Sequence, residues 1–477
     1  MKKVVWTLLV TLAVSLGARS ANEENQLVFN PARYSEQELT LSNGTRLKYR
    51  AYEHIYYVKN VEDSAYQYLN LYVPQSAYND RGKAPIFLRT YIGGYMAARA
   101  DRPTLRDATG RALQEGYVVC IPGSRGANSR ITDARGDEVF TGRAPRGLLD
   151  LKAAVRYLHA NDSMMPGNAE RIITDGTSAG GAMSALVGVT GDHPDYLPML
   201  DAMGTAGNRD DVFAAVCFCP ITDLEHADMA YEWLYSVTNA TRGLTAGQLA
   251  LSQKLASLYP LYLKSLSLYT TGKKPLTAAN YAGYLKRFIW VSAQKGLDSG
   301  GTIPASAGIT VKLVKGKKQV TAIDLNKYLQ YVTTTQPLKT PPAFDAAGVQ
   351  GGRPAPENAL FGDSTGSNAN FTLLSLRESS GNKSAYLDST LLGRIRLMNP
   401  MNYIADNLAR TAPHWYIRHG ARDRDTAFTV SLNLATRLRN VGADVNYALA
   451  WDRPHTGDYD LDELFSWLNK IAKEKKK

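Results

Sequence analysis

Residues 174–184 read TDGTSAGGAMS, and within them Gly176-Thr177-Ser178-Ala179-Gly180 has the form G-x-S-x-G. Just upstream, ERII at 170–173 is a short apolar run suited to the end of a strand. Downstream, AMSALVGVT at 182–190 is compatible with a helix. A serine set between strand and helix on a glycine-flanked turn is the nucleophile-elbow pattern. The glycines leave room where a side chain would clash, so the hydroxyl can stand clear of the sheet. The competing reading is a glycine-rich turn that happens to contain a serine. The rest of the chain decides between them by supplying, or failing to supply, a base, an acid and donors for an oxyanion in a workable order.

Working outward, ELTLSNGTRLKYRAYEHIYYV (38–58) alternates and turns at Asn43-Gly44, an opening antiparallel hairpin. QYLNLYVPQ (67–75) is a further strand, and APIFLRTYIGGY (84–95) is an apolar strand running into a glycine loop. A helix and buried strand follow at 104–126, a helix at 147–162, then the elbow and the strand VFAAVCFCPITD (212–223). Near-continuous apolar strands alternating with helices predict a mostly parallel sheet with helices on both faces. The alternation stops from Leu224 to Arg394. That segment is helical and loop-like, with a hairpin-like stretch at 309–324 and a Pro/Gly-rich run at 341–358. It is far too long for a loop and is read as an inserted cap domain. The α/β pattern resumes with PHWYIRHGARDRD (413–425), a helix over 429–444, the strand VNYALAWD (445–452), the loop RPHTGDYD (453–460) and a terminal helix. The expected organisation is a signal peptide over 1–20, a first core part over 21–223, the cap over 224–394 and a second core part over 395–477.

A serine becomes nucleophilic when a base takes its proton, and the base works best when a carboxylate orients it. On an α/β-hydrolase scaffold the order is Ser, then Asp or Glu, then His, on loops after successive strands. Here Ser178 is followed by Asp423 and then by His455, with a helix and a strand between the last two. Of seven histidines, only His455 lies beyond the final strand. His419 is read as structural, and Asp425 competes with Asp423 for the role of acid. The Ala179 amide is the first oxyanion donor. The second comes from the glycine loop, Gly93 or Gly94, with Ile92 as a neighbouring possibility.

The chain has 477 residues, the length of a large α/β core with an insertion or of two domains. Two lysines, an apolar run from Val4 to Gly17 and small residues open it as a secretory signal peptide cut after Ser20. The run is too short to span a bilayer, so no membrane span is expected in the mature protein, which is secreted or periplasmic. The three cysteines, Cys120, Cys217 and Cys219, include a C-x-C pair and are read as small core residues, not as a disulfide framework or metal ligands. The acidic residues Asp133, Asp137 and Glu138 read as a solvated turn. The net charge of +11 comes with no basic-aromatic stripe, so a nucleic-acid partner is not expected. No cofactor or metal is expected.

GTSAGGAMS (176–184), YPLYLKSLSLY (259–269), LKTPPAFD (338–345), ENALFGD (357–363), HGARDRDTAF (419–428) and DRPHTGDYD (452–460) resemble the bacterial tannases, α/β-hydrolases that cleave galloyl esters. The Ser and His motifs are generic to the superfamily; LKTPPAFD, ENxLFG and the D-x-D are much more specific. The resemblance covers nearly the whole mature chain and implies that Lys339, Glu357 and Asp425 bind the three phenolic hydroxyls of gallate. Carboxylates accept from phenolic O–H and an ammonium donates to the oxygen, so this set suits that ligand. Fungal relatives carry paired cysteines beside the catalytic serine and histidine, where this chain has Thr177 and Thr456. It also carries extra residues, GGRP at 351–354, between the lysine and glutamate motifs. The expected function is a secreted serine esterase acting on galloyl esters. A feruloyl or other hydroxycinnamoyl esterase with the same triad is the near rival, and a non-catalytic binding protein on a hydrolase scaffold the rival from another class.

Overall fold

The computed structural model describes residues 27–473 apart from 42, 80 and 335. The expected signal peptide therefore lies outside the described residues. Strands β1 (Ser35–Thr40), β2 (Arg46–Tyr56), β3 (Tyr68–Pro74), β4 (Arg81–Arg89), β5 (Val118–Pro122), β8 (Gly167–Thr177), β9 (Ala214–Phe218), β12 (His414–Gly420) and β13 (Asp444–Ala450) form one sheet in the order β1-β2-β3-β5-β4-β8-β9-β12-β13. The first three strands and the β3–β5 pair run antiparallel; from β5 to β13 every pairing is parallel. The opening hairpin, the mostly parallel sheet and the helices on both faces agree with the sequence reading.

Strand β4 shows why these strands read as continuous apolar runs. Ile86 and Leu88 face one core layer and Phe87 the other, and all three are essentially inaccessible. Each successive side chain needs a covered face, and each such burial is worth about 1.5–3 kcal/mol. One layer is supplied by the helices Arg146–Ala160, Ala179–Val189 and Phe428–Asn440. The other comes from Ala108–Gln114 and Leu461–Ile471. In the last helix Leu461, Leu464, Phe465, Leu468 and Ile471 recur at i, i+3, i+4 and make one apolar face. Phe465 packs on Phe87 with ring centroids 5.7 Å apart.

Between β9 and β12 lies the inserted segment. It contains the helices Leu224–Tyr235, Ala246–Ser265, Ala278–Asp298, Leu325–Val332, Pro356–Leu360, Leu373–Ser380 and Ser389–Leu397, and the hairpin of β10 (Ile309–Val314) and β11 (Lys317–Ile323). Its core is continuous with that of the sheet: Tyr259, Tyr281 and Tyr328 join the same buried cluster as Leu432 and Leu434. The Tyr281 hydroxyl donates to Asn433 Oδ1 at 2.7 Å, and Asn433 Nδ2 donates to the Tyr259 hydroxyl at 2.9 Å. A small hairpin of β6 (Arg130–Thr132) and β7 (Glu138–Phe140) carries the Asp133 turn, where Asp133 accepts the Arg135 and Asp137 amides and pairs with Arg135. This is the solvated turn expected there. Among the described residues no helix is long and apolar enough to cross a membrane.

Because β4, β8, β9, β12 and β13 run in parallel, the loops at their C-terminal ends gather along one rim. In open α/β sheets this is where ligands bind.

Candidate active site

Ser178 sits between the end of β8 and the helix Ala179–Val189 with φ 61° and ψ −124°, a conformation few non-glycine residues adopt and one that costs of order 1–3 kcal/mol. The turn is pinned from β9: the Ser178 amide donates to the Phe218 carbonyl at 2.9 Å, and the Ser178 carbonyl accepts from Ile221 at 3.3 Å. Its two flanking glycines are required by space. A Cβ on Gly176 would lie 2.4 Å from the Gly180 carbonyl carbon, and one on Gly180 would lie 2.8 Å from the Ile92 carbonyl oxygen. Strand, helix and the 90–95 loop therefore meet backbone to backbone.

His455, in the loop after β13, places Nε2 2.8 Å from Ser178 Oγ and Nδ1 2.7 Å from Asp423 Oδ2. Asp423 is fully buried in the loop after β12, and its Oδ1 accepts the amides of Asp425 at 2.8 Å and Thr426 at 3.2 Å. Burial alone would raise this carboxyl; the neighbouring His455 and His419 and these hydrogen bonds outweigh it and hold the group well below the usual carboxylate range. For His455 burial works downward, and the adjacent Asp423 charge overrides it and raises the imidazole. A carboxylate so placed holds the imidazole in one orientation and favours its protonated form.

The loop carrying His455 is fastened to the sheet. Arg89, at the end of β4, donates in a fork to Asp458 at 2.6 and 2.9 Å and also pairs with Asp175 of β8. Arg89 and Asp175 are almost wholly buried, and such forked charge pairs hold geometry as well as charge. A Cβ on Gly457 would fall 1.9 Å from Thr177 Oγ1, so glycine lets this loop lie against the end of β8. None of this clasp was anticipated from the sequence, because its partners lie in separate motifs with no shared period.

Of the acid candidates, the structure brings Asp423 to His455. Asp425 pairs with Arg424 at 3.3 Å and shares with His455 the lining of a cavity of about 260 Å³ whose walls include Gln336, Arg422 and Arg424. His419, expected to be structural, is buried with Nδ1 on Ser431 Oγ at 2.8 Å and Nε2 3.3 Å from Asp423 Oδ2. Burial holds its imidazole below the ordinary value. It is a second histidine at the same carboxylate, and its HG-x-x-D spacing was the available signal. All three cysteines are free and buried. Cys219 nevertheless belongs to the site's surroundings, since its Sγ donates to the Thr456 carbonyl at 3.3 Å and accepts from the Gly420 amide at 3.4 Å.

Of the oxyanion candidates, Ala179 opens the helix after Ser178, and Gly93 and Gly94 follow Ile92, whose carbonyl lies against Gly180. Gly94, at φ +55°, approaches Pro356, which begins the helix carrying Glu357. Glu357 is 4% exposed; burial raises its carboxyl against the pull of the nearby Lys339 charge. Lys339 Nζ stands 4.3 Å over the Phe344 ring. Two groups of metal-ligating type exist among the described residues, Cys219–Asp423–His455 and Asp223–Glu225–His226, each with ligand atoms within 4.8 Å of one another. In both, these donors already bond to one another or to neighbours, as His226 does to Asp223 at 2.7 Å.

Comparison with known proteins gives a consistent picture. A family model described as BD-FAE matches residues 69–262. Esterase LipC of Mycobacterium tuberculosis is 43% identical over 54 residues, 11% of this chain and 13% of that protein's length. The crystal structure of Fusobacterium nucleatum tannase aligns with a TM-score of 0.83 at 38% identity. The tannase of Lactobacillus plantarum aligns at 0.85 and 35%, and a tannin acyl hydrolase solved in complex with ethyl gallate at 0.84 and 36%. Each of the three covers 94% of this chain and 100% of its own. With the identity, the coverage and the fold in agreement, the chain belongs to the bacterial tannase family of α/β-hydrolases and is a carboxylic ester hydrolase.

Proposed function

We propose that this protein is a secreted serine esterase that hydrolyses galloyl esters to gallate through an acyl-enzyme. The observation that carries the reading is the unbroken chain of contacts from Ser178 Oγ through His455 to Asp423, at 2.8 and 2.7 Å. Ser178 Oγ attacks the ester carbonyl while His455 Nε2 takes its proton. The Ala179 amide and an amide of the Gly93–Gly94 loop receive the developing oxyanion. Collapse breaks the ester C–O bond, and the imidazolium returns its proton to the departing alcohol. Water then attacks the acyl-enzyme with His455 again as base, and the acid leaves with Ser178 restored.

Lys339, Glu357 and Asp425 are the proposed contacts to the ring hydroxyls. The motif resemblance supports them, as do the burial of Glu357 beside Lys339, the place of Asp425 in the cavity shared with His455, and the ethyl gallate bound by a relative. A site that spends buried polar groups on hydroxyls rejects ligands lacking them, because those groups are then left unpaired. The rates on methyl gallate, methyl ferulate and methyl benzoate test the reading, with strong preference for methyl gallate expected. Equal rates on gallate and ferulate would remove the substrate assignment and favour the hydroxycinnamoyl alternative. Failure of a fluorophosphonate probe to label Ser178 in folded protein would favour the non-catalytic binder. Secretion rests on residues 1–20: exported protein beginning near Ala21 is the expected result, and protein retained in the cytoplasm with Met1 in place would count against it.

A further inference from the structure

The helix Leu224–Tyr235 presents Asp228, Tyr231, Glu232 and Tyr235 at the spacing i, i+3, i+4, i+7, one side of the helix, and all four are buried. Each reaches a main-chain atom of another segment, directly or through one partner. The Tyr235 hydroxyl donates to the Asp423 carbonyl at 2.9 Å. Tyr231 donates to the Arg424 carbonyl at 2.6 Å, and the same oxygen accepts the Lys339 amide at 3.1 Å. Glu232 holds Arg242 at 2.6 and 2.9 Å, and Arg242 donates to the Lys339 carbonyl at 2.6 Å. Asp228 accepts the amides of Phe344 and Asp345 at 2.9 and 3.0 Å, fixing the ring beneath the Lys339 ammonium.

We propose that Tyr231 is a specificity-determining positioning residue: its single hydroxyl sets the spacing between Lys339 and the loop that carries Asp425. These two groups belong to segments 86 positions apart (425 less 339). A phenolic O–H donates once and still accepts, so one oxygen can tie both chains. Lys339 is then gripped at its amide by Tyr231 and at its carbonyl by Arg242, leaving the ammonium to face the ligand. The inference rests on the gallate reading, since it concerns how that ring is recognised and not how the ester is cut.

Tyr231→Phe removes the oxygen and keeps the ring that packs on Tyr235 and Phe344. Losing both ties should raise KM for methyl gallate by about tenfold, the order expected for two hydrogen bonds. Its kcat/KM on methyl benzoate and the rate of fluorophosphonate labelling should stay within about twofold of wild type. Arg242→Lys, which keeps a cation beside the buried Glu232 but withdraws the fork from the Lys339 carbonyl, should shift gallate selectivity in the same direction and decides the matter if the first variant does not fold. A gallate-to-benzoate ratio unchanged in the folded variants, or both substrates and labelling falling together, overturns the proposal. If wild-type protein itself shows no preference for gallate, the substrate reading falls and this inference with it. If wild type prefers gallate and the variants do too, only this inference falls.

Discussion

Two parts of the molecule meet at the proposed site and are held by different means. Along the sheet rim, His455 touches both Ser178 and Asp423 side chain to side chain, Ser178 at the turn after β8 and the other two in the loops after β13 and β12. In the inserted segment, Lys339 lies on irregular chain between the helices Leu325–Val332 and Pro356–Leu360, and order there comes from buried carboxylates that collect backbone N–H groups. Asp228 takes two amides. Asp345 takes those of Phe371 and Thr372 together with side chains of Asn358 and Asn370. The sheet supplies geometry through repetition, which suits a reaction shared by many esters. The insertion supplies it through one-off contacts, which suits recognition of one ring.

The largest break in this comparison is at the rim. Ser178→Ala should lower kcat by roughly 10⁴–10⁶-fold and Asp423→Asn by about 10⁴-fold, on methyl gallate and methyl benzoate alike. Steady-state assays check this, with calorimetry showing that gallate still binds the Ser178 variant. A smaller and selective break lies in the two carboxylates proposed to meet the ring. Glu357→Ala and Asp425→Ala should each cost about 10–100-fold in kcat/KM on methyl gallate and little on methyl benzoate. Parallel losses on both esters would place these residues in the reaction itself.

The smallest effect sharpens the contrast through stability. Asp423 has a folded pKa below the ordinary value, so its contribution is present above about pH 4 and is lost as pH falls through the folded value. Glu357 has a folded pKa raised by burial, so it costs stability once pH rises above about 4.3 and through the folded value. In thermal melts at pH 7, Asp423→Asn should therefore lower Tm and Glu357→Gln should raise it, each by a few degrees. The Glu357 difference should vanish as pH falls to about 4.3, whereas the Asp423 difference should shrink only below about pH 4. Differences of the same sign at pH 7 would contradict the opposed causes assigned to the two groups.

The rim was legible in the sequence because each of its parts follows a strand of apolar residues and the strands come in a recognisable order. The G-x-S-x-G turn, HGARD and RPH needed only that order to be joined. The contacts that hold these loops were not legible. Arg89 meets Asp458 across 369 positions, and Tyr235 meets Asp423 across 188. Contacts of a side chain with a distant charge or carbonyl leave no period to read. Cys219 illustrates the same limit on a smaller scale. The reading of 212–223 as one strand put it in line with Cys217, but β9 ends at Phe218 and Cys219 takes φ 43°, which carries its sulfur to the His455 loop. The resemblance to tannases pointed to Lys339, Glu357 and Asp425, yet only the fold showed that one helix braces the segments holding the first and the last.

The Arg89 fork berths the loop of His455 on the floor of the molecule, because Asp458 is held from β4 and, through the same guanidinium, from β8. A change confined to the outlying hairpin of β10 and β11 should therefore leave turnover on small esters as it was.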